Sequence, residues 1–287
     1  MNTKNKVGGT RRMVVDWSQA ISMLVLFFVY MIPFVLIILN SFKYKRDIIK
    51  SPFSIVAEKG YTFDNYLVAF EKMNFLRSFS NSLFVTGLST LIVTVLASMT
   101  AYYFVRAKDK FSTVCFSLMA ASMIIPFQAI MIPLVSIYGA KLNMLNHRTS
   151  LIFFHVGFAM SMSVFIFQGF IKSSIPLSLE EAACLDGCSK PQTFFMVVFP
   201  LLKPITSTLV ILNVLAFWND YLLPSLVLGK KQIMTLPLST YAFYGTYSAD
   251  YGTIMAGLVL TVAPILVLYL VLQKQIISGV VAGAVKS

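Results

Sequence analysis

The sequence predicts an all-α membrane protein with six transmembrane helices, and three observations carry that prediction. The chain has 287 residues, of which 57% are hydrophobic and only 12% charged. Its mean hydropathy is +0.79. Apolar runs recur at the length of ~20 residues that crosses ~30 Å of hydrocarbon. In lipid a lone spanning segment satisfies its backbone polar groups only as a helix. The length would suit two soluble domains, but this composition excludes them.

The elements follow in order. Residues 1–16 form a polar, basic segment, and 17–287 read as one transmembrane domain. Spans are expected at 17–40, 80–105, 111–138, 150–171, 204–228 and 251–272, with a polar insert at 172–203. The first run is too long for a signal-peptide core and no small-residue cleavage site follows it, so it is expected to remain as a span. The loop at 41–79 mixes aromatics and charges with one proline, and reads as a small ordered cap. The second span carries Ser82, Thr86, Thr90, Thr94 and Ser98 at four-residue spacing. Such a ridge of small hydroxyl side chains suits close helix packing better than a solute path. Pro126 and Pro133 each remove a hydrogen bond from the third span and predict kinks or a break.

The net charge of +12 does not point to nucleic acid, because the basic residues are scattered among loops rather than striped on one face. Contact with lipid headgroups accounts for them. Lysine and arginine divide almost evenly between the two sides, and the compact "VRAKDKF" after the second span tips the amino terminus inward. Cys115, Cys184 and Cys188 imply no disulfide framework. Cys184 and Cys188 are four apart without further ligands nearby, so no metal site is expected. The phosphate-binding G-x-x-x-x-G-K-[ST] pattern and the H-E-x-x-H pattern are both missing from the sequence. No catalytic residues and no bound cofactor are expected in this chain.

The insert "SLEEAACLDGCSKPQTFFMVVFP" is the chemically odd stretch. Glu180, Glu181 and Asp186 would each cost about 3 kcal/mol in mid-bilayer, so all three are expected in water. Ser178 and Glu181 have capping-box spacing, as do Ser189 and Gln192. Gly187 is placed to end the first helix in a left-handed conformation, and Pro200 should stop the second near Phe199. Helix, glycine turn and helix follow, with Ala182 and Ala183 keeping the first slim enough for a groove on another protein.

These residues resemble the EAA loop of ABC importer permeases, whose pattern is E-A-A, three residues, G, nine residues, I-x-L-P. Glu181, Ala182, Ala183, Gly187 and Pro200 match, while Val197 and Phe199 replace Ile and Leu. "TFDNY" from Thr62, the pair Asn81–Ser82, "FWNDYLLP" from Phe217 and the ending "GVVAGAVKS" are similar to carbohydrate-uptake permeases of the maltose type, specifically to the smaller partner of a heterodimeric pair. The resemblance implies a cytoplasmic coupling loop between helices 4 and 5, both termini in the cytoplasm, and location in the cell membrane. It implies a homologous permease, two ATPase subunits that bind ATP and Mg, and an extracytoplasmic solute-binding protein as partners. Sugar import by alternating access is the implied function. A polyol or glycerol phosphate is the alternative solute, and a secondary transporter the alternative mechanism.

Site residues follow from this reading. Glu180, Glu181, Ala182, Ala183, Asp186, Gly187 and Pro200 are assigned to ATPase coupling. Asn213, Trp218, Asn219, Asp220 and Tyr221 are candidates for the translocation pathway, because an ionisable group at that depth is a functional candidate. The alternative is that the helix leaves the hydrocarbon at Trp218 with its aromatics at the interface. Asn213, Gln128, His155 and Gln168, polar groups within spans, each read as interhelical hydrogen bonders ahead of substrate ligands. Tyr241, Tyr244 and Tyr247 are candidate contacts for the binding protein. The tail with Gly279 and Gly283 is expected to be flexible and to reach the ATPases.

Overall fold

The computed structural model describes residues 10–107, 109–243 and 250–284. Tyr244 and Tyr247 lie outside the described residues, as do Val285, Lys286 and Ser287. The described chain is helical throughout and falls into two compact units. One takes the chain up to Lys72 together with Phe243–Leu260, and the other takes Met73–Ala242 and the chain from Thr261.

The first unit opens with helix α1, Thr10–Ser41, whose described apolar side chains are largely exposed. Short helices α2 (Lys45–Lys50) and α3 (Asp64–Lys72) follow. The loop is the ordered element that its aromatics suggested. Lys43 is fully buried, bonds the Ser54 carbonyl at 2.5 Å, and pairs in an antiparallel bridge with Tyr61. Burial holds its ammonium below the usual lysine range despite the opposing pull of Asp47. "TFDNY" is the clasp. The Thr62 hydroxyl accepts from Asp64 N–H, Asn65 donates to the carbonyls of Ser41 and Lys43, and Tyr66 Oη lies 2.7 Å from Ser41 Oγ. Gly252 leaves room for this clasp, since a Cβ there would stand 2.5 Å from Asn65 Nδ2.

The second unit is organised on α4, Phe75–Ala107. Then come α5 (Lys110–Ser122), α6 (Phe127–Leu134) widening into a π-helix at Val135–Lys141, and α7 (Arg148–Ser174). Asp109 caps α5, and its hydrogen bonds from Ser112 hold the carboxyl below its usual range. The expected proline break is real. The pair on either side of Pro126 is bent by 98°, and the π-helix begins two residues after Pro133. Ser82, Thr86, Thr90, Thr94 and Ser98 are all buried on α4, which packs chiefly on α7. A seam explains them, because small side chains bring two helices close.

The polar insert supplies α8 (Ser178–Leu185), α9 (Lys190–Gln192), a π-helix at Thr193–Val198 and α10 (Phe199–Leu201). After a 78° bend comes α11, Lys203–Asn219. The fifth run does not continue to residue 228 as one helix. Asp220 turns extended (ψ 125°), and α12 (Leu222–Val227) starts anew. The Asp220 carboxylate accepts from Leu223 N–H, so the break is capped by the residue that makes it. A short α13 (Leu236–Ser239) precedes α14, Tyr251–Ala284. Helix α14 continues through Gly279 and Gly283, with no proline after Pro264 to interrupt it. Among the described residues four helices are long and apolar enough to cross a membrane, or up to six if each bent pair is one span.

Two buried apolar clusters line α4. One joins Ala97, Ala101 and Val105 to Phe167, Ile171, Phe194 and Val198. The other joins Val85 to Leu151, Phe154, Leu223 and Leu238. Asn81 anchors the second. Its Nδ2 donates to the carbonyls of Gln232 and Met234, and its Oδ1 accepts from Arg148. Asn81→Leu strands two carbonyls and a guanidinium, and is expected to lower stability by about 3 kcal/mol. Thermal denaturation of the solubilised protein measures this.

Candidate functional site

The insert is built by two different helix starts. Ser178 and Glu181 do not form the expected box, because helix α8 begins one residue early. Leu177 is its N-cap without a side-chain cap bond, and the N–H groups of Glu180 and Glu181 both reach the Leu177 carbonyl. The Ser189–Gln192 bonds do form, with Gln192 Oε1 accepting from Ser189 N–H and Oγ at 2.8 Å each. Between them Gly187 sits at φ +85°. Cys188 N–H returns to the Ala183 carbonyl and Gly187 N–H to that of Cys184, the paired bonds that close a helix on a left-handed residue.

The second helix runs past Phe199. Its π-turn at Thr193–Val198 lets it carry Pro200 through to Leu201. A π-turn shifts each hydrogen bond by one residue, which relieves the clash that a proline ring makes with the preceding turn. Pro200 itself is exposed.

The three acidic residues of the insert do not share water. Glu181 and Asp186 are exposed, and so is Ala182. Glu180 is 8% exposed and turned into the bundle. Its Oε1 lies 2.8 Å from Arg106 Nε and 2.6 Å from Nη2, and its Oε2 accepts from Tyr102 Oη at 2.8 Å. Arg106 Nη2 also donates to the Ile175 carbonyl at 2.9 Å. The desolvation cost is offset by filling both carboxylate oxygens. Ala183 is buried beneath the helix, so α8 has an inner face of Glu180 and Ala183 and an outer face of Glu181, Ala182 and Asp186. Arg106 and Tyr102 were not singled out in the sequence. Their four-residue spacing on one face of a span's last two turns was the available signal.

The five candidates for the pathway have different surroundings. Asn213 is buried 3.5 Å from Ser163 Oγ. Trp218 is buried edge-on to Phe79. Asn219 is exposed and bonds back to the Leu215 carbonyl, and Tyr221 is exposed at the break. Asp220 alone meets a second ionisable group, its Oδ2 lying 3.0 Å from His155 Nε2. His155 is buried and stacks on Phe217 at 4.6 Å, so it is an interhelical hydrogen bonder as its sequence context suggests. Gln168 is buried on α7. Tyr241 is exposed. Among the described residues no group of three or more His, Cys, Asp or Glu is placed to hold a metal ion.

Residues 93–281 match the family model described as binding-protein-dependent transport system inner membrane component. The chain is 40% identical over 263 residues to a probable starch degradation products transport system permease protein of Thermoanaerobacterium thermosulfurigenes, covering 92% of this chain and 94% of that one. It is 38% identical over 261 residues to a multiple sugar-binding transport system permease protein of Streptococcus mutans, covering 89% and 92%. It is 35% identical over 257 residues to a melibiose/raffinose/stachyose import permease protein of Bacillus subtilis, covering 90% and 92%. In fold it is similar to a chain of a bacterial ABC transporter involved in import of the acidic polysaccharide alginate. That match has a TM-score of 0.75 at 18% identity and covers 96% of this chain and 99% of that one.

Proposed function

Because the chain belongs to the family of binding-protein-dependent transport system inner membrane components, we propose that it is the permease subunit of an ABC importer for a sugar, foremost an oligosaccharide. The observation that carries the substrate class is the agreement among relatives. Three that are 35–40% identical along most of the chain are named for starch degradation products, for multiple sugars and for melibiose, raffinose and stachyose.

In this reading the pair bent at Pro126 counts as one span and α11 with α12 supplies the fifth, which gives six crossings and puts both termini in the cytoplasm. The insert at 172–203 then lies on the cytoplasmic side, and α8 docks through Glu181, Ala182 and Asp186 in a cleft of an ATPase subunit. A second permease completes the pathway, and two ATPase subunits bind ATP and Mg. An extracytoplasmic binding protein delivers the sugar to the opposite face, where Tyr241 lies. ATP closes the ATPase pair, α8 follows, and the helices pass from inward-open to outward-open. Such coupling requires each ligand to bind the two states unequally. The exposed outer face of α8 beside a buried inner face supports this arrangement.

Deletion of the coding sequence is expected to abolish growth on, and uptake of, at least one sugar in a panel of maltotriose, raffinose, stachyose and arabinotriose. Re-expression restores it. A deletion strain with wild-type uptake of the whole panel would refute the sugar assignment.

A further inference from the structure

We infer that Glu180, Arg106 and Tyr102 form an internal tie rod that conveys the displacement of α8 directly to α4. Glu180 is then a positioning residue with a role different from that of its neighbour Glu181. The inference rests on the proposed docking of α8 against an ATPase.

The geometry distinguishes the two glutamates. One turn of α8 aims Glu181 outward and Glu180 inward. The inward carboxylate receives Arg106 through Nε and Nη2 and Tyr102 through its hydroxyl, so three donors from two successive turns of α4 converge on one group. The same guanidinium holds the Ile175 carbonyl, where α7 ends and the link to α8 begins. Tyr102 also packs its ring against Phe194 at 5.2 Å, so the second arm of the insert meets the same α4 residue. Sequence separations of 74 and 78 residues mean that chain connectivity does not impose these contacts.

A connection made only of apolar contacts lets helices slide, because dispersion attraction has little directional preference. A charged pair in which two guanidinium nitrogens converge on one carboxylate oxygen does not, since small displacements lose hydrogen bonds between largely buried partners. The Glu180 cluster is therefore the stiff element between α8 and α4. Helix α4 in turn packs along α7 and α11, so it distributes the movement to the rest of its unit. Coupling free energy needs such an element with a defined position in each state.

The test uses the whole complex, with both permeases, ATPases and binding protein, in proteoliposomes. Retention of the ATPase subunits, ATP hydrolysis and uptake of the best-transported panel sugar are measured together. Glu180→Gln and Arg106→Lys each remove part of the tie with little change of volume. Both variants are expected to retain the ATPase subunits, and sugar imported per ATP hydrolysed is expected to fall roughly tenfold. The exchange Glu180→Arg with Arg106→Glu is expected to recover part of that ratio. A merely structural role would lower hydrolysis and import together and leave the ratio unchanged, which would overturn the proposal. Loss of the ATPase subunits from Glu180→Gln would overturn it too, by making Glu180 a docking residue. Glu181→Lys runs alongside. If that variant keeps its ATPases, the docking of α8 itself fails, and the tie rod has no input to convey.

Discussion

With α8 docked as proposed, the Glu181→Lys permease is expected to reach the membrane without its ATPase subunits, and binding-protein-driven uptake is expected to fall roughly 100-fold, because a charge reversed in such an interface costs several kcal/mol. Glu181 is exposed on α8 beside the exposed Ala182, while the inner face of that helix is held by Glu180 and Ala183. The substitution therefore touches no buried contact within the chain. A local cost exists, since a lysine in the first turn opposes the helix dipole, but it amounts to only about 0.5 kcal/mol at an exposed site. Affinity purification of the permease followed by quantification of bound ATPase separates loss of docking from loss of folding. Full retention of the ATPases would show that Glu181 is an ordinary solvated side chain. Glu181→Gln, which removes the charge without reversing it, should fall between the two.

Asp220→Leu is expected to destabilise the protein by about 3 kcal/mol, in the range found when one member of a buried polar pair is deleted. It leaves His155 Nε2 without its partner inside the bundle, where the ring is already stacked on Phe217. It also removes the acceptor for Leu223 N–H at the start of α12. Asp220→Asn keeps an acceptor oxygen and should cost less. The informative variant is the double one. Replacing both partners, His155→Phe with Asp220→Leu, leaves no orphaned imidazole and is expected to be more stable than Asp220→Leu alone. Thermal denaturation of these three purified variants and of His155→Phe alone checks the order. If the double variant is as unstable as the sum of the singles, the two residues do not act as a pair.

Much of the fold was legible because lipid imposes a simple rule on length and polarity. Five of the six expected apolar runs lie within helices or a bent pair, and the break at Pro126 follows from its missing N–H. The fifth run misled at its far end. Asp220 looked like a charge near the end of a continuous span, whereas its side chain caps a new helix once the backbone has turned. The insert was read correctly at Gly187 and Ser189, where local chemistry decides the conformation. It was misread at Ser178, where the competing start at Leu177 wins, and at Phe199, where a widened turn absorbs the proline. Glu180 was placed in water because a single sequence cannot show that Arg106 lies opposite. That pairing joins positions 74 residues apart, which no local pattern encodes. The translocation candidates were chosen by depth and polarity alone, and those two properties do not tell which side of a helix faces a neighbour.

The wide turn at Thr193–Val198 sets an angular phase. Each residue of an α-helix advances the chain by about 100°. A stretch that holds one residue more than uniform winding would allow therefore delivers everything after it with a different azimuth. Val198 and Leu202 point inward from this stretch and are fully buried, while Pro200 and Leu201 point out. Winding the same residues at regular pitch would rotate that pattern by about 100°, turning its oily positions toward solvent, whereas excising one residue would leave it in place. The surplus residue thus acts as an indexing mark between the insert and the helix that follows it.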